Sequence, residues 1–451
     1  VLDGCDIVVH SAAAVSFDSP IDTAVEVNLL GPARVASALN ASGSRAQRHL
    51  IAVSTAYVAG TRRGDAPEAL LPDTPFATEV DWQDEVAAAS RARADRDAES
   101  RRPEVLARFS RAARSELGAA GTPLLAERSE RKRRDWVREQ LVLAGRARAK
   151  GLGWPDAYAY TKALGERALL DTRGELDVTI VRPSIIESAL AEPAPGWIRG
   201  FRMAEPVIIS YARGLLSQFP GVPEGVVDVI PVDFVVAAII AVAATGPDPA
   251  GPSVYQVASG TVNPLRYADL VDLCHDWFSE HPLHDSHGQP IVVPDWSFPG
   301  RGRVQRQLMR ATRVLSAAER AMSSLPLRGT EAEASARLEE RRTQAERALS
   351  YVDLYGAYAE SEADFRIDRL LGLWNDLDET DRTELAFDPS LIDWTYYLHE
   401  VHLPSVVVHG RVRSSRTGHS GPTRHQRGRR SVLDPGRHLA AFDLENTLIA
   451  S

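Results

Sequence analysis

Continuous apolar runs that end in small or polar residues predict the buried strands of this chain. The runs are DIVVHSAA at 6–13, HLIAVSTAYV at 49–58 and VTIVRPS at 178–184. Such runs are typical of strands that are buried on both faces of a parallel sheet. Helical patterns follow at 21–40 and 156–170, and this alternation of strand and helix indicates a doubly wound α/β fold with a parallel sheet.

Residues 63–153 interrupt the alternation and are rich in Ala, Arg and Glu. Their charge runs, such as SRARADRDAESRR, predict solvated amphipathic helices inserted into the sheet domain. A lid over a long substrate is the alternative. Strand and helix signals return over 178–275. The apolar run from Phe234 to Thr245 predicts a buried helix, because it is too short to span a bilayer.

The pattern predicts four parts in the chain. The first domain covers 1–299, and a mainly helical region with aromatic anchors covers 300–409. Residues 410–438 have the Gly, Ser, Pro and Arg composition of a flexible linker. The apolar strand that follows opens a last segment, 439–451, which we expect to be the start of another domain.

Composition changes this picture in a few respects. The 451 residues carry a net charge of −9 and are 44% hydrophobic, as expected for about two or three folded domains. There are 49 arginines but three lysines, so Lys162 is a rare choice. Acidic residues alternate with the arginines of 63–153, which argues against nucleic-acid binding. The Arg-rich 410–438 leaves open a peripheral contact with a membrane surface. Cys5 and Cys274 are too few for a disulfide framework, so we expect the cytoplasm.

Tyr158 and Lys162 form the strongest candidate site. Residues i and i+4 share one face of a helix, which here begins near Asp156, so the phenol and the ammonium would lie side by side. A neighbouring cation lowers a tyrosine pKa, and Tyr158 is therefore predicted to be the general acid for a carbonyl oxygen that receives hydride. The alternative is a surface pair worth only about 0.3 kcal/mol.

Hydroxyl and amide side chains supply the other candidates. Ser54 and Thr55 end the apolar part of 49–58, and the carboxyl ends of parallel strands face the crevice in which α/β folds bind ligands. Either hydroxyl could bind a substrate carbonyl, or both could belong to a strand-end turn. Asn28 could hold a water or a backbone carbonyl for proton relay, or it could bond within its own helix.

An ordered set of motifs resembles the extended short-chain dehydrogenase/reductase family. These motifs are HSAA at 10–13, VNLLG at 27–31, VSTAYV at 53–58, YAYTK at 158–162 and VRPSII at 181–186. The chain is most similar to the fatty acyl-CoA reductase branch. The features that carry this likeness are the large insertion after STAYV, the YAYTKALGE motif, and the spacing of Phe387, Asp393, Trp394 and Tyr397.

The resemblance implies a Rossmann-type fold and the NADPH-dependent reduction of a fatty acyl-CoA to an aldehyde or alcohol. It makes Tyr158 the proton donor and Lys162 the residue that lowers its pKa and holds the ribose. Thr55 or Ser54 would bind the carbonyl oxygen, and Asn28 would complete the relay. The implied cofactor contacts are His10, Ser11, Ala12, Ala13, Pro183 and Ser184. The Gly-rich phosphate turn and the first strands of the family are expected upstream of Val1.

Alternatives remain within and outside this family. An epimerase of sugar nucleotides or a sterol dehydrogenase would share the motifs. The sequence DLENT from Asp443 resembles the first motif of haloacid dehalogenase-like phosphatases, D-x-D-x-T, with Glu445 at the second acid. That resemblance implies Asp443 as nucleophile and Glu445 as acid, with Mg²⁺ if the domain is complete. A phosphatase with a reductase-like partner domain and a non-catalytic binding module are therefore the alternatives of other classes.

We expect no metal site in the first domain. His281, His284 and His287 are spaced by three, but Pro and Gly residues among them predict a loop.

Overall fold

A parallel five-stranded sheet forms the centre of the protein. The computed structural model describes residues 4–42, 48–74, 79–117, 123–199, 205–219, 221–285, 287–323, 362–409 and 439–442, together with Arg342, Leu349, Gly356 and Tyr358. The sheet strands are β1 (Ile7–His10), β2 (His49–Val53), β4 (Asp177–Pro183), β8 (Ser253–Val257) and β11 (Leu439–Phe442). Their order across the sheet is β11-β1-β2-β4-β8, and every neighbouring pair is parallel.

Short strand pairs lie outside the main sheet. They join β3 (Arg63–Ala66) to β10 (Glu362–Phe365), β5 (Ile185–Glu187) to β7 (Val229–Pro231), and β6 (Val226–Val227) to β9 (Leu265–Arg266).

Helices connect these strands and flank the sheet. The α-helices are α1 (Ile21–Ala24), α2 (Leu30–Ala41), α3 (Trp82–Ser100), α4 (Pro103–Leu117), α5 (Leu125–Gly151), α6 (Ala157–Thr172), α7 (Glu205–Ala212), α8 (Val232–Thr245), α9 (Tyr267–Glu280), α10 (Arg301–Ser323), α11 (Asp368–Asp376), α12 (Glu379–Glu384), α13 (Trp394–Tyr396) and α14 (Leu403–His409). Segments Val25–Leu29 and Tyr397–His402 are π-helical, and three 3₁₀ turns span Ala56–Ala59, Leu71–Asp73 and Pro389–Leu391.

Both faces of the sheet are covered, as the apolar runs predicted. Leu50 and Ile180 belong to a buried cluster that includes Leu169 of α6, whereas Val181 belongs to the larger cluster that includes Phe234 of α8. Adjacent strand residues point to opposite faces, which explains why neighbours in one strand enter different clusters. The doubly wound α/β class is confirmed, and the predicted buried helix is α8.

The strand at the C-terminal end of the described residues belongs to the main sheet, which the sequence did not predict. Leu439–Phe442 is a strand, but it pairs with β1 along Ile7–His10 as an edge of the main sheet. A separate domain was expected to begin here. The backbone N–H and C=O groups at the free edge of β1 need partners, and an apolar strand satisfies them in parallel register. The predicted linker at 410–438 lies outside the described residues.

The insertion begins with a strand rather than a helix. Arg63–Ala66 forms β3 against β10, and the helical part is the three helices α3, α4 and α5 between Trp82 and Gly151. Ion pairs tie these helices together: Arg133 of α5 donates to Asp97 of α3 at 2.7 Å. This part of the insertion is a packed helical layer, with Val137 and Leu141 of α5 buried.

The region after α10 packs on the sheet domain through its aromatic residues. Phe387 is fully buried, and the indole N–H of Trp394 donates to the Asn263 carbonyl at 3.1 Å. The hydroxyl of Tyr397 donates to the Ser188 carbonyl at 2.7 Å. Among the described residues, no helix is long and apolar enough to cross a membrane.

Candidate active site

The candidate residues meet at the carboxyl ends of β1, β2 and β4. His10 ends β1, Ser54 and Thr55 follow β2, and Pro183 ends β4. Tyr158 and Lys162 lie on α6, and Asp156 caps that helix by accepting a hydrogen bond from the Ala159 N–H at 2.9 Å. The structure thus brings the predicted residues to the sheet edge where α/β folds bind ligands.

Tyr158 and Thr55 face each other. The Thr55 side chain acts on the Tyr158 phenol, whose pKa it lowers against the effect of burial, and its hydroxyl donates to the Pro183 carbonyl at 3.4 Å. The ring of Tyr158 packs edge-on against Phe17, with 6.0 Å between the ring centroids. Two hydroxyl groups therefore converge on one point beside the end of β4.

The pKa of Tyr158 moves in the direction opposite to the one predicted. Burial and the nearby Asp156 carboxylate raise it above its ordinary value. The expectation that Lys162 lowers it was wrong for this structure, because the lysine ammonium donates instead to the Val53 carbonyl at 2.8 Å. The phenol is therefore protonated at neutral pH, as a general acid must be, but the raised pKa makes it a weaker proton donor than an ordinary tyrosine.

Lys162 is a buried cation. Its side chain is 6% exposed, and burial lowers its pKa to about 8, opposed by the Glu166 carboxylate. The positive charge also contributes to lowering the pKa of His10 to about 4, although burial of the histidine is the larger cause. His10 is therefore neutral at pH 7, and Lys162 remains the cation of the site.

Asn28 is fixed to the backbone and not to Lys162. Its side-chain oxygen accepts from the Ala14 N–H at 2.8 Å, and its amide donates to the Ala14 carbonyl at 3.1 Å and to the Thr161 hydroxyl at 3.2 Å. The side chain therefore joins the loop after β1 to α6, three residues from Tyr158. Its predicted relay role stays a prediction.

Gly165 allows α6 to approach this asparagine. A Cβ atom at Gly165 would lie 2.2 Å from the Asn28 carbonyl oxygen.

Gly165→Ala is expected to lower the free energy of unfolding by about 1–3 kcal/mol, because the two backbones must move apart. Urea unfolding measures this. Gly372→Ala in α11 is the control: nothing lies within 4 Å of its Cβ position, and we expect a gain of up to about 1 kcal/mol. Equal losses in both variants would contradict the packing argument.

Most of the residues that are predicted to contact the cofactor are buried. His10, Ala12 and Ala13 are buried, whereas Ser11 is exposed. On the other side of the crevice, Pro183 is buried and the Ser184 N–H donates to the Val257 carbonyl at 2.9 Å.

These residues fit a nicotinamide dinucleotide. The buried Ser54 hydroxyl has no hydrogen-bond partner among the described residues. The Lys162 ammonium has three N–H groups, and the Val53 carbonyl is their acceptor among the same residues. A ribose diol supplies the oxygen atoms that both groups need.

Phe17, Tyr358 and a cavity at this site were not predicted. Tyr358 contacts Phe17 and Tyr57, with ring centroids 5.1 and 4.7 Å apart. A cavity of about 380 Å³ lies beyond them, and its lining includes Tyr57, Asp228, Tyr358 and Phe365. Tyr358 is some 200 residues from Tyr158 in the chain, and no local motif marks it.

Other predicted features lie elsewhere. Asp443 and Glu445 of the phosphatase-like motif lie outside the described residues. His281 ends α9 and stacks on Trp277, with 4.6 Å between the ring centroids. Within the described residues, no group of His, Cys, Asp or Glu side chains is arranged to hold a metal ion.

Comparison with known proteins identifies the family. Residues 1–239 match the NAD-binding family described as "Male sterility protein", and the chain belongs to this family. Fatty acyl-CoA reductase 2, chloroplastic, of Arabidopsis thaliana is 31% identical over 415 residues, which are 90% of this chain and 62% of the relative. The alcohol-forming fatty acyl-CoA reductase of Simmondsia chinensis is 30% identical over 290 residues, 64% of this chain and 53% of the relative. The chain thus spans between half and two thirds of the length of these relatives.

A solved structure supports the fold. The terminal R domain of the myxalamid PKS-NRPS biosynthetic pathway superposes with a TM-score of 0.50 at 12% identity, covering 90% of this chain and 69% of that domain. This likeness extends over the sheet domain and beyond it. Membership of an NAD-binding family indicates that the protein binds a nicotinamide cofactor.

Proposed function

We propose that the protein reduces a fatty acyl-CoA to the aldehyde or alcohol with NADPH as reductant. The observation that carries this proposal is the pair of Thr55 and protonated Tyr158 beside the buried cation of Lys162. The names of the relatives, which are fatty acyl-CoA reductases, supply the substrate class. The acyl substrate, the preference for NADPH and a cytoplasmic location are parts of the same proposal.

The reaction needs a hydride, an electrophilic carbonyl and a proton. The nicotinamide supplies the hydride when it is bound. The hydroxyl groups of Thr55 and Tyr158 bind the thioester oxygen, on which negative charge develops, and preorganised donors of this kind stabilise such charge. Tyr158 then supplies the proton. Loss of the thiol gives the aldehyde, and a second reduction gives the alcohol.

Lys162 supports both binding and proton transfer. Its ammonium is held at the end of β2 by the Val53 carbonyl, and burial makes it a better proton source than an exposed lysine. Its remaining N–H groups suit the ribose of the cofactor. His10 stays neutral and adds no second charge.

A substrate comparison tests the proposal. The protein, expressed with whatever sequence its gene supplies on either side of these 451 residues, is assayed for NADPH oxidation with a fatty acyl-CoA, a nucleotide sugar and a sterol. We expect oxidation with the acyl-CoA alone. Epimerisation of the sugar with NAD⁺, or oxidation of the sterol with NAD⁺ or NADP⁺, without turnover of the acyl-CoA would favour the other enzymes of the wider family. Phosphate release from a phosphomonoester without NADPH oxidation would favour the phosphatase.

A further inference from the structure

We propose that Tyr358 is a positioning residue for Tyr158: its hydroxyl holds the carboxylate that caps the catalytic helix, and its ring closes the site beside Phe17 and Tyr57. The kinetic consequence of this inference rests on the proposed function. Its structural consequence can be measured without substrate.

The contact joins distant parts of the chain. The Tyr358 hydroxyl donates to Asp156 Oδ2 at 2.6 Å, while Asp156 Oδ1 accepts from the Ala159 N–H at 2.9 Å. Asp156 is 3% exposed and is the N-cap of α6. One carboxylate oxygen therefore accepts a hydrogen bond from the helix, and the other accepts one from Tyr358. Tyr158 follows the cap by two residues, so a displacement of the cap moves the phenol.

The ring of Tyr358 also contacts residues of the site. It lies against Phe17, which packs on the ring of Tyr158, and against Tyr57. The same tyrosine lines the cavity of about 380 Å³. Tyr358 therefore borders this cavity and is linked to the ring of Tyr158 through Phe17.

The charge on Asp156 depends on this hydrogen bond. Burial raises the pKa of Asp156 to about 6, and the Tyr358 hydroxyl is the largest influence that opposes the rise. The other groups that oppose it are the N–H of Ala159, the N–H of Tyr158 and the charge of Arg146 on α5. Loss of the Tyr358 hydroxyl would therefore raise the pKa of Asp156 further, so that a larger fraction of the carboxyl is protonated at neutral pH and the helix is capped less well.

Tyr358→Phe tests the hydroxyl, because the ring stays in place. We expect kcat to fall about tenfold with KM nearly unchanged, and the acid limb of the kcat profile to move from about pH 6 to about pH 7. Tyr211→Phe is the matched control. Tyr211 is also fully buried, and its hydroxyl donates to the Pro294 carbonyl at 3.0 Å, far from the site. It is expected to keep the wild-type profile.

Stability gives a readout that needs neither substrate nor cofactor. The folded-state pKa of Asp156 lies above its usual value, so the folded protein binds the extra proton and the free energy of unfolding falls as the pH rises from about 4 to 6. In Tyr358→Phe this fall should extend to about pH 7. A wild type that reduces no acyl-CoA would overturn the proposed function and leave this measurement intact.

Asp156→Asn identifies the titrating group. Asparagine caps a helix as well as aspartate but does not titrate, so the variant should lose the acid limb, with or without Tyr358. Its free energy of unfolding should also fall less than that of the wild type between about pH 4 and 6. The fall that remains comes from other buried carboxyls such as Glu68, whose pKa burial raises to about 7. The proposal is overturned if the acid limb persists in Asp156→Asn, or if Tyr358→Phe shifts the profile no more than Tyr211→Phe does.

Discussion

Tyr158→Phe is expected to lower kcat for acyl-CoA reduction by a factor of about 10² to 10⁴, the range that a general acid contributes. The variant has no phenolic proton to donate. It also leaves Thr55 as the remaining donor to the substrate oxygen. Steady-state kinetics measures the loss, and KM should change much less than kcat.

Tyr160→Phe is the matched control for this prediction. Tyr160 lies on the same helix, two residues further on, and is buried, but its hydroxyl donates to Glu85 of α3. We expect a loss of about 1–3 kcal/mol in the free energy of unfolding and an unchanged kcat. If both variants lose kcat equally, Tyr158 acts through the helix and not as the acid.

Arg182→Met is expected to lower the free energy of unfolding by about 3–5 kcal/mol, because it leaves a buried carboxylate without its partner. Arg182 and Glu166 are 2% and 4% exposed and form two hydrogen bonds, at 3.0 and 2.7 Å. The arginine also donates to the Ala69 carbonyl at 3.0 Å. The pair joins β4 to α6, the two elements that hold Pro183 and Tyr158.

The double variant separates pairing from packing. Arg182→Met combined with Glu166→Leu should recover part of the loss, since apolar residues can replace a buried ion pair at little cost. The exposed pair of Arg34 and Glu26 supplies the control, and Arg34→Met should cost no more than about 1 kcal/mol. A double variant that is as unstable as the sum of its single variants would contradict this account of the pair.

The central strands could be predicted because burial on both faces leaves a continuous apolar run. Strand β8 could not be singled out, because Ser253, Tyr255 and Gln256 break the run. Its polar residues are satisfied inside the fold: the Gln256 amide donates to the Ala66 and Arg366 carbonyls at 2.8 Å each. The partner of the strand at Leu439–Phe442 was equally hidden, since an apolar pattern predicts a strand but not its neighbour.

The candidate site could be predicted where one element fixes the spacing of its residues. Tyr158 and Lys162 share a helix, so their proximity followed from the sequence. The partners of their side chains did not, because the Lys162 ammonium extends to the Val53 carbonyl on another element. Tyr358 could not be anticipated, since only the tertiary fold brings it to Asp156.

The most direct test of the central claim traces the hydride from NADPH into the lipid product. The protein is incubated with a fatty acyl-CoA and NADPH deuterated on the transferred position of the nicotinamide, and the lipid product is analysed by mass spectrometry. The account predicts deuterium on carbon 1 of the fatty aldehyde or alcohol in the wild type, and none above background in Tyr158→Phe. An unlabelled product, or the same labelling rate in Tyr158→Phe, would contradict it.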